Sequence, residues 1–382
     1  MRILIAPDSF KGSISAKDVG LAIEDGIRKV IPDADVVHLP LADGGEGTIE
    51  SMVFALGGSV GEAIVHDPLG REIKASFGVL KDGNTVIIEM AQASGLPLLQ
   101  EYERNPLITS TVGTGELIRH CLDKGYRHFL LGLGGSATND AGMGMLKALG
   151  VQFLDSGGNN LPEGGASLNK LERIDTSNID TRLKESSFIA VSDVRNILCG
   201  EHGASHIFGP QKGANAQEAA LLDQALRRFG DVVNEQLNID IITLPGSGAA
   251  GGIGAAAVAF LQAEIRSGID LILEYYHFDD RIIGADLLIT GEGKLDSQTL
   301  SGKVISGVCK KASLYNIPVV ALCGSVQLST SSMDDLGLTA CLPIVNGPCR
   351  LEEAIANSYE WTRDRAEQMM RLAVLAFPKQ QR

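Results

Sequence analysis

Both ends of the chain alternate short β-branched apolar runs with longer segments whose apolar residues recur every three or four positions. Residues 2–6 read as a strand, 16–31 as a helix and 34–39 as a second strand, the β–α–β order of a parallel sheet. In that helix Val19, Ile23, Ile27, Val30 and Ile31 fall on one face, the stripe needed to pack against a sheet. Ser13 or Ser15 can cap its start. The same order returns near the other end, with strands at 287–290, 319–323 and 340–344 and helices at 304–314 and 329–336. The two ends are therefore expected in one parallel sheet. Between them, 62–65, 73–80 and 86–90 are consecutive strands, separated by the turn signals Asp67-Pro68-Leu69-Gly70 and Lys81-Asp82-Gly83-Asn84. Strands without intervening helices suggest a second, mixed sheet. The expectation is an α/β protein of two domains, a discontinuous one over 1–60 plus 285–382 and an inserted one over 61–284. A length of 382 residues agrees, being beyond the size at which one core stops growing.

A formal charge of −14 would repel nucleic acid and anionic lipid, both of which are held mainly by Lys and Arg. An anionic small molecule stays compatible, provided a few basic groups and backbone N–H dipoles make a local positive patch. The apolar run before Pro7 and Asp8 is too short for a signal-peptide core, and no stretch has the length of a membrane span. A soluble, cytoplasmic protein is expected, with no nucleic-acid or membrane partner. The six cysteines are widely spaced with no C-x-x-C pair, which points to reduced thiols. His202 and His206 are four apart, but the intervening Gly203 and Ala204 look like a loop rather than a metal-binding helix.

Six segments carry the residue types that chemistry needs. Ala6-Pro7-Asp8-Ser9-Phe10-Lys11-Gly12-Ser13 links the first strand to the first helix, at the strand end where open α/β sheets bind ligands. A helix N-terminus and Lys11 together would favour a carboxylate or phosphate, and Asp8 could hold Mg²⁺ or a hydroxyl. Leu41-Ala42-Asp43-Gly44-Gly45-Glu46-Gly47-Thr48 offers two carboxylates among glycines, or a plain Asp-Gly turn before a helix. Gly132-Leu133-Gly134-Gly135-Ser136-Ala137-Thr138-Asn139-Asp140 follows an apolar strand at 129–131; its consecutive N–H groups and neutral side-chain donors could cradle phosphate. Val191-Ser192-Asp193-Val194-Arg195-Asn196 sets a carboxylate beside a guanidinium past another strand end, either a base and an anion clamp or a local ion pair. Gly246, Gly248 and Gly251 match the dinucleotide pattern G-x-G-x-x-G. The acidic residue expected about 20 residues later at a strand end is missing, with Glu264 reading as still helical. A phosphate-binding turn or tight packing is the alternative. Thr290-Gly291-Glu292-Gly293-Lys294-Leu295-Asp296, continuing to Lys303, mixes carboxylates with ammonium groups just past an apolar strand, as phosphoryl transfer requires. It is not a P-loop, because Ser297 stands where the first glycine belongs and Val304 follows Lys303.

Taken together, A-P-D-S-F-K-G-S at 6–13, L-A-D-G-G-E-G-T at 41–48, G-L-G-G-S-A-T-N-D-A-G-M-G at 132–144, V-S-D-V-R-N at 191–196 and T-G-E-G-K-L-D at 290–296 closely resemble the bacterial glycerate kinase type-1 family. The resemblance spans nearly the whole chain. It implies phosphorylation of D-glycerate by ATP with Mg²⁺, typically at the 2-hydroxyl, in breakdown of glycolate, glyoxylate or sugar acids such as glucarate and galactarate. It also implies two α/β domains, one Rossmann-like, with the active site in the cleft between them. On both lines Asp193 is expected as the carboxylate that positions or deprotonates the glycerate hydroxyl, with Asp8 as its rival and Lys294 neutralising the transferring oxygens. Lys11, Arg195, Asp43, Ser9 and Asn139 are expected at the substrate. Gly134, Gly135, Ser136, Thr138, Gly291, Gly293 and Lys303 are expected at the nucleotide, and Glu292 and Asp296 at the metal, with Asp43 a further candidate there. The competing readings are 3-phosphoglycerate as product, a nicotinamide-dependent hydroxy-acid oxidoreductase, and a non-catalytic sugar-acid binding protein. Assembly into a homodimer is left open.

Overall fold

The computed structural model describes residues 1–42, 44–296, 299 and 304–376. Its strands are β1 (Arg2–Ile5), β2 (Asp35–His38), β3 (Gly58–His66), β4 (Glu72–Leu80), β5 (Thr85–Glu89), β6 (His128–Gly132), β7 (Gln152–Leu154), β8 (Arg173–Asp175), β9 (Ser187–Val191), β10 (Glu264–Arg266), β11 (Leu287–Leu295), β12 (Val319–Val326) and β13 (Ala340–Pro343). They fall in two compact units. One comprises Met1–Ala42, Glu50–Leu56 and Ile269–Arg382; the other comprises Asp43–Ile49 and Gly57–Gly268.

The first unit is built on the sheet β13-β12-β11-β1-β2. Every neighbouring pair in it is parallel, so the chain ends do share one parallel sheet. Ile3, Ile5, Leu287, Ile289 and Leu322 on the strands pack with Val19, Ile23 and Ile27 of the helix Ala16–Arg28 and with Met369 and Met370 of the helix Ser358–Ala376. Each fully buried side chain of this size stabilises the unit by roughly 1.5–3 kcal/mol. Tyr276, itself fully buried, directs its hydroxyl at the carbonyls of Pro40 (2.6 Å) and Ser51 (3.0 Å).

The second unit is built on the sheet β10-β9-β6-β5-β4-β3, in which β3, β4 and β5 are antiparallel and β5, β6, β9 and β10 parallel. It is the mixed sheet expected from the consecutive strands. A small antiparallel pair, β7 with β8, stands apart. Phe129 and Phe188 are partners across β6 and β9, and their rings stack at 4.6 Å, the cross-strand contact that fixes register. Helices Val112–Asp123 and Ala216–Leu237 add Leu117, Ile118, Leu226 and Phe229 to this core.

The units divide the chain differently from 1–60 plus 285–382 and 61–284. Residues 269–284 lie with the first unit, and residues 44–49 and 57–60 with the second. Two local expectations also change. β11 runs through Gly291, Glu292, Gly293 and Lys294 to Leu295, where a turn was expected after Thr290, because β12 pairs with it as far as Val326. That pairing overrides the weak strand preference of two glycines. Glu264, read as helical, begins the edge strand β10 beside β9. Among the described residues no helix is long and apolar enough to cross a membrane. All six cysteines are free thiols.

Candidate active site

In the second unit the parallel strands β5, β6, β9 and β10 finish side by side, and their following loops meet at the end of the sheet that favours ligands. The Leu133 N–H donates to the Val191 carbonyl (3.0 Å) and ties the loop after β6 to the end of β9. Gly134, Gly135 and Ser136 of one loop and Ser192, Asp193 and Val194 of the other line a pocket of about 170 Å³, with Gln211 and Lys212. Asp193 is half-buried, and its Oδ1 accepts a bond from the Gly268 N–H at 2.8 Å. The backbone thereby orients a carboxylate at the wall of a small pocket.

Opposed to the acid in character is Lys212, which ends the short 3₁₀ turn Pro210–Lys212 and is only 1% exposed. Its Nζ donates to Ser136 Oγ (2.7 Å) and to the Thr138 carbonyl (2.6 Å). Burial pushes its pKa down to about 7, while the charge of Asp140 pulls the other way. Asp140 is fully buried and burial raises its pKa, yet it accepts bonds from the N–H (3.0 Å) and Oγ1 (2.8 Å) of Thr111 and from the N–H groups of Gly142 (3.1 Å) and Gly144 (3.2 Å). This network holds the whole Ser136 loop in place. Lys212 was not singled out in the sequence; Gly209-Pro210 and Gly213 mark only a turn around it.

Thr138 and Asn139, expected at a ligand, lie fully buried under the loop. Thr138 contributes its carbonyl to Lys212, and Asn139 Nδ2 donates to Ser205 Oγ at 2.9 Å. Arg195 is exposed and is not among the residues that line the pocket. Asp43 lies outside the described residues. The glycine run 246–254 is wholly buried. Gly251 has φ +66°, and a Cβ there would stand 2.1 Å from the Thr138 carbonyl oxygen; its own carbonyl accepts the Ala141 N–H at 3.0 Å. The run is a brace beneath the Ser136 loop, which is the tight-packing alternative, and of it Ala250 lines the pocket.

In the first unit the β1–β11 ladder continues past the strand end. The Ala6 N–H donates to the Ile289 carbonyl and the Asp8 N–H to that of Gly291, both at 2.8 Å, so Asp8 sits level with Gly291. Asp8 is buried and its Oδ1 accepts the Ser9 N–H at 2.7 Å. The Asp18 N–H at the start of the helix Ala16–Arg28 already has a partner, Ser15 Oγ, at 3.2 Å. Lys11, Gly12 and Ser13 line a cavity of about 860 Å³ with Gly293, Gly324 and Ser325. Its other wall is apolar, formed by Val326, Pro343, Ile344, Leu351 and Ile355, with Leu351 70% exposed. Cavities of roughly 300–1,000 Å³ suit ligands of nucleotide size.

Beside this cavity Gly291 fits where no other residue could, because a Cβ would stand 2.2 Å from the Leu322 carbonyl oxygen. Glu292 is buried and accepts a bond from Thr299 Oγ1 at 2.5 Å. Lys294 Nζ lies 3.1 Å from Asp296 Oδ2 at the end of β11. Lys303 lies outside the described residues. The structure thus gathers Asp8, Ser9, Lys11, Gly291 and Gly293 at one strand-end site, and Gly134, Gly135, Ser136 and Asp193 at another.

Comparison with known proteins shows the family. The model of the glycerate kinase family matches residues 3–374. The chain is 46% identical to the glycerate kinase of Bacillus subtilis (strain 168) and 45% identical to the glycerate 2-kinase of Escherichia coli (strain K12), in each case over 94% of both chains. A crystal structure described as that of a proposed glycerate kinase 2 from Salmonella typhimurium LT2 is 44% identical and superposes with a TM-score of 0.88 over 99% of both chains.

Proposed function

The chain belongs to the glycerate kinase family, and from that premise we propose that it transfers the terminal phosphoryl group of ATP to the 2-hydroxyl of D-glycerate, giving 2-phosphoglycerate and ADP. The setting would be cytoplasmic breakdown of glyoxylate or sugar acids. The observation that carries this reading is the pocket of the second unit, which joins a backbone-oriented carboxylate, Asp193, to a glycine-rich loop in a volume of about 170 Å³. That is room for a three-carbon acid and too little for a nucleotide. The 2-hydroxyl is favoured by the name of the Escherichia coli relative.

In this reading Asp193 accepts the proton of the attacking hydroxyl, and Gly134, Gly135 and Ser136, expected at the nucleotide, line the pocket of the acid instead. The larger cavity of the first unit takes the nucleotide. Val326, Ile344, Leu351 and Ile355 offer a purine ring an apolar bed, while Lys11, Ser13 and Ser325 supply donors for phosphate oxygens. Among the described residues no three His, Cys, Asp or Glu side chains gather into a metal cluster. Mg²⁺ does not need one, because it usually takes one or two carboxylates and completes its shell with phosphate oxygens and water. Glu292 and Asp296 would hold it, and when bound it neutralises charge on the phosphates. Lys294, beside Asp296, adds a second positive charge at the end of β11.

The test is a coupled assay of ADP release. Release that depends on D-glycerate and saturates with it is expected; release indifferent to D-glycerate would refute the reading.

A further inference from the structure

We propose that Lys212 is the cation that receives the carboxylate of the acid substrate, in the pocket it shares with Ser136 and Asp193, and that it takes up a proton from solvent as the acid binds. The inference rests on the reading of the second unit as the acid-binding unit. Lys212 is nine-tenths and more buried, lines the pocket, and among the described residues has no ion pair. Both its acceptors are neutral, the Ser136 hydroxyl and the Thr138 carbonyl. An ammonium has three N–H donors, so one remains beyond these two, and Ser136, having accepted from Lys212, keeps its own O–H to donate. A buried cation without a contacting anion is costly unless it is neutral or a ligand supplies the charge.

The charged groups around it are Asp140 and Asp193. Asp140 is engaged by Thr111, Gly142 and Gly144, and Asp193 Oδ1 by the Gly268 N–H, while the amine's own hydrogen bonds go to Ser136 and Thr138 and to neither carboxylate. In the free protein the amine titrates near pH 7. An incoming carboxylate favours the charged form and raises that pKa. Above pH 7 the balanced step is neutral amine plus proton plus carboxylate giving the ammonium–carboxylate pair. Affinity for the acid should accordingly decline as pH rises above 7, approaching tenfold per pH unit until the pKa of the complex is reached.

The experiment is calorimetric titration of the full-length protein with D-glycerate at pH 8, in two buffers of different ionisation enthalpy. Uptake approaching one proton is expected for the wild type. Lys212→Met should abolish the uptake and weaken D-glycerate by roughly 30-fold or more, with ADP binding unchanged. Equal affinity and equal uptake in the variant would overturn the proposal. So would wild-type affinity that is flat from pH 6 to 9, a result that decides the matter even if the variant does not fold. Proton uptake driven by ADP alone would assign the amine to a nucleotide phosphate and overturn the carboxylate assignment. D-glycerate-dependent ADP release together with normal binding by Lys212→Met would sink this inference and leave the kinase reading standing; binding as described without ADP release would do the reverse.

Discussion

Gly251→Ala should destabilise the second unit by an amount that can be worked from two features of the structure. The residue has φ +66°, a left-handed conformation that costs an alanine about 1–2 kcal/mol. Its new Cβ would also stand 2.1 Å from the Thr138 carbonyl oxygen, so backbone must move, and overpacking of that kind costs roughly 1–3 kcal/mol. Together they amount to about 2–5 kcal/mol. For a unit of this size each kcal/mol lowers Tm by roughly 2–4 °C, so thermal unfolding followed by circular dichroism should show a loss of about 4–20 °C. The displaced carbonyl is also an acceptor for Lys212, so affinity for D-glycerate should fall in the fraction that stays folded. A Tm within a degree of wild type would refute the view of this glycine run as a packed brace. It would reopen the phosphate-turn and dinucleotide readings of Gly246, Gly248 and Gly251.

Two further outcomes follow from the assigned sites. Asp193→Asn should lower kcat by roughly 10²–10⁴-fold while the KM for ATP holds, as measured by coupled steady-state assay, and near-normal kcat would remove Asp193 from the chemistry. Leu351→Asp replaces an exposed apolar wall of the large cavity by a charge; it should raise the KM for ATP by roughly tenfold or more and leave the KM for D-glycerate alone. An unchanged KM for ATP would show that the nucleotide base does not lie there.

The parallel and mixed sheets were legible because apolar runs of strand length, with and without intervening helices, encode connection type directly. The loops bearing Gly134, Gly135, Ser136 and Asp193 were legible for the same reason, since clustered glycines and a carboxylate directly after an apolar strand mark the end of a parallel sheet. What stayed hidden depends on distant partners. Gly291 and Gly293 look like a turn until β12 is laid beside them. Glu264 to Arg266 are too short and too polar to declare a strand, and only β9 makes them one. Lys212 sits in a turn whose sequence resembles any solvated loop. Its burial, and with it the shift of its titration, arises from the Ser136 loop more than 70 residues away. Thr138 and Asn139 show the converse, for polar residues in a glycine-rich segment can face the core as readily as a ligand.

The most direct measurement is the proton-coupled phosphorus-31 NMR spectrum of the product formed from ATP and D-glycerate. Transfer to the 2-hydroxyl leaves phosphorus three bonds from a single hydrogen, so the account predicts a doublet that appears only when D-glycerate is present. A triplet, from phosphorus on the terminal CH₂ oxygen, or a spectrum whose only new resonances are those of ADP and inorganic phosphate, would contradict it.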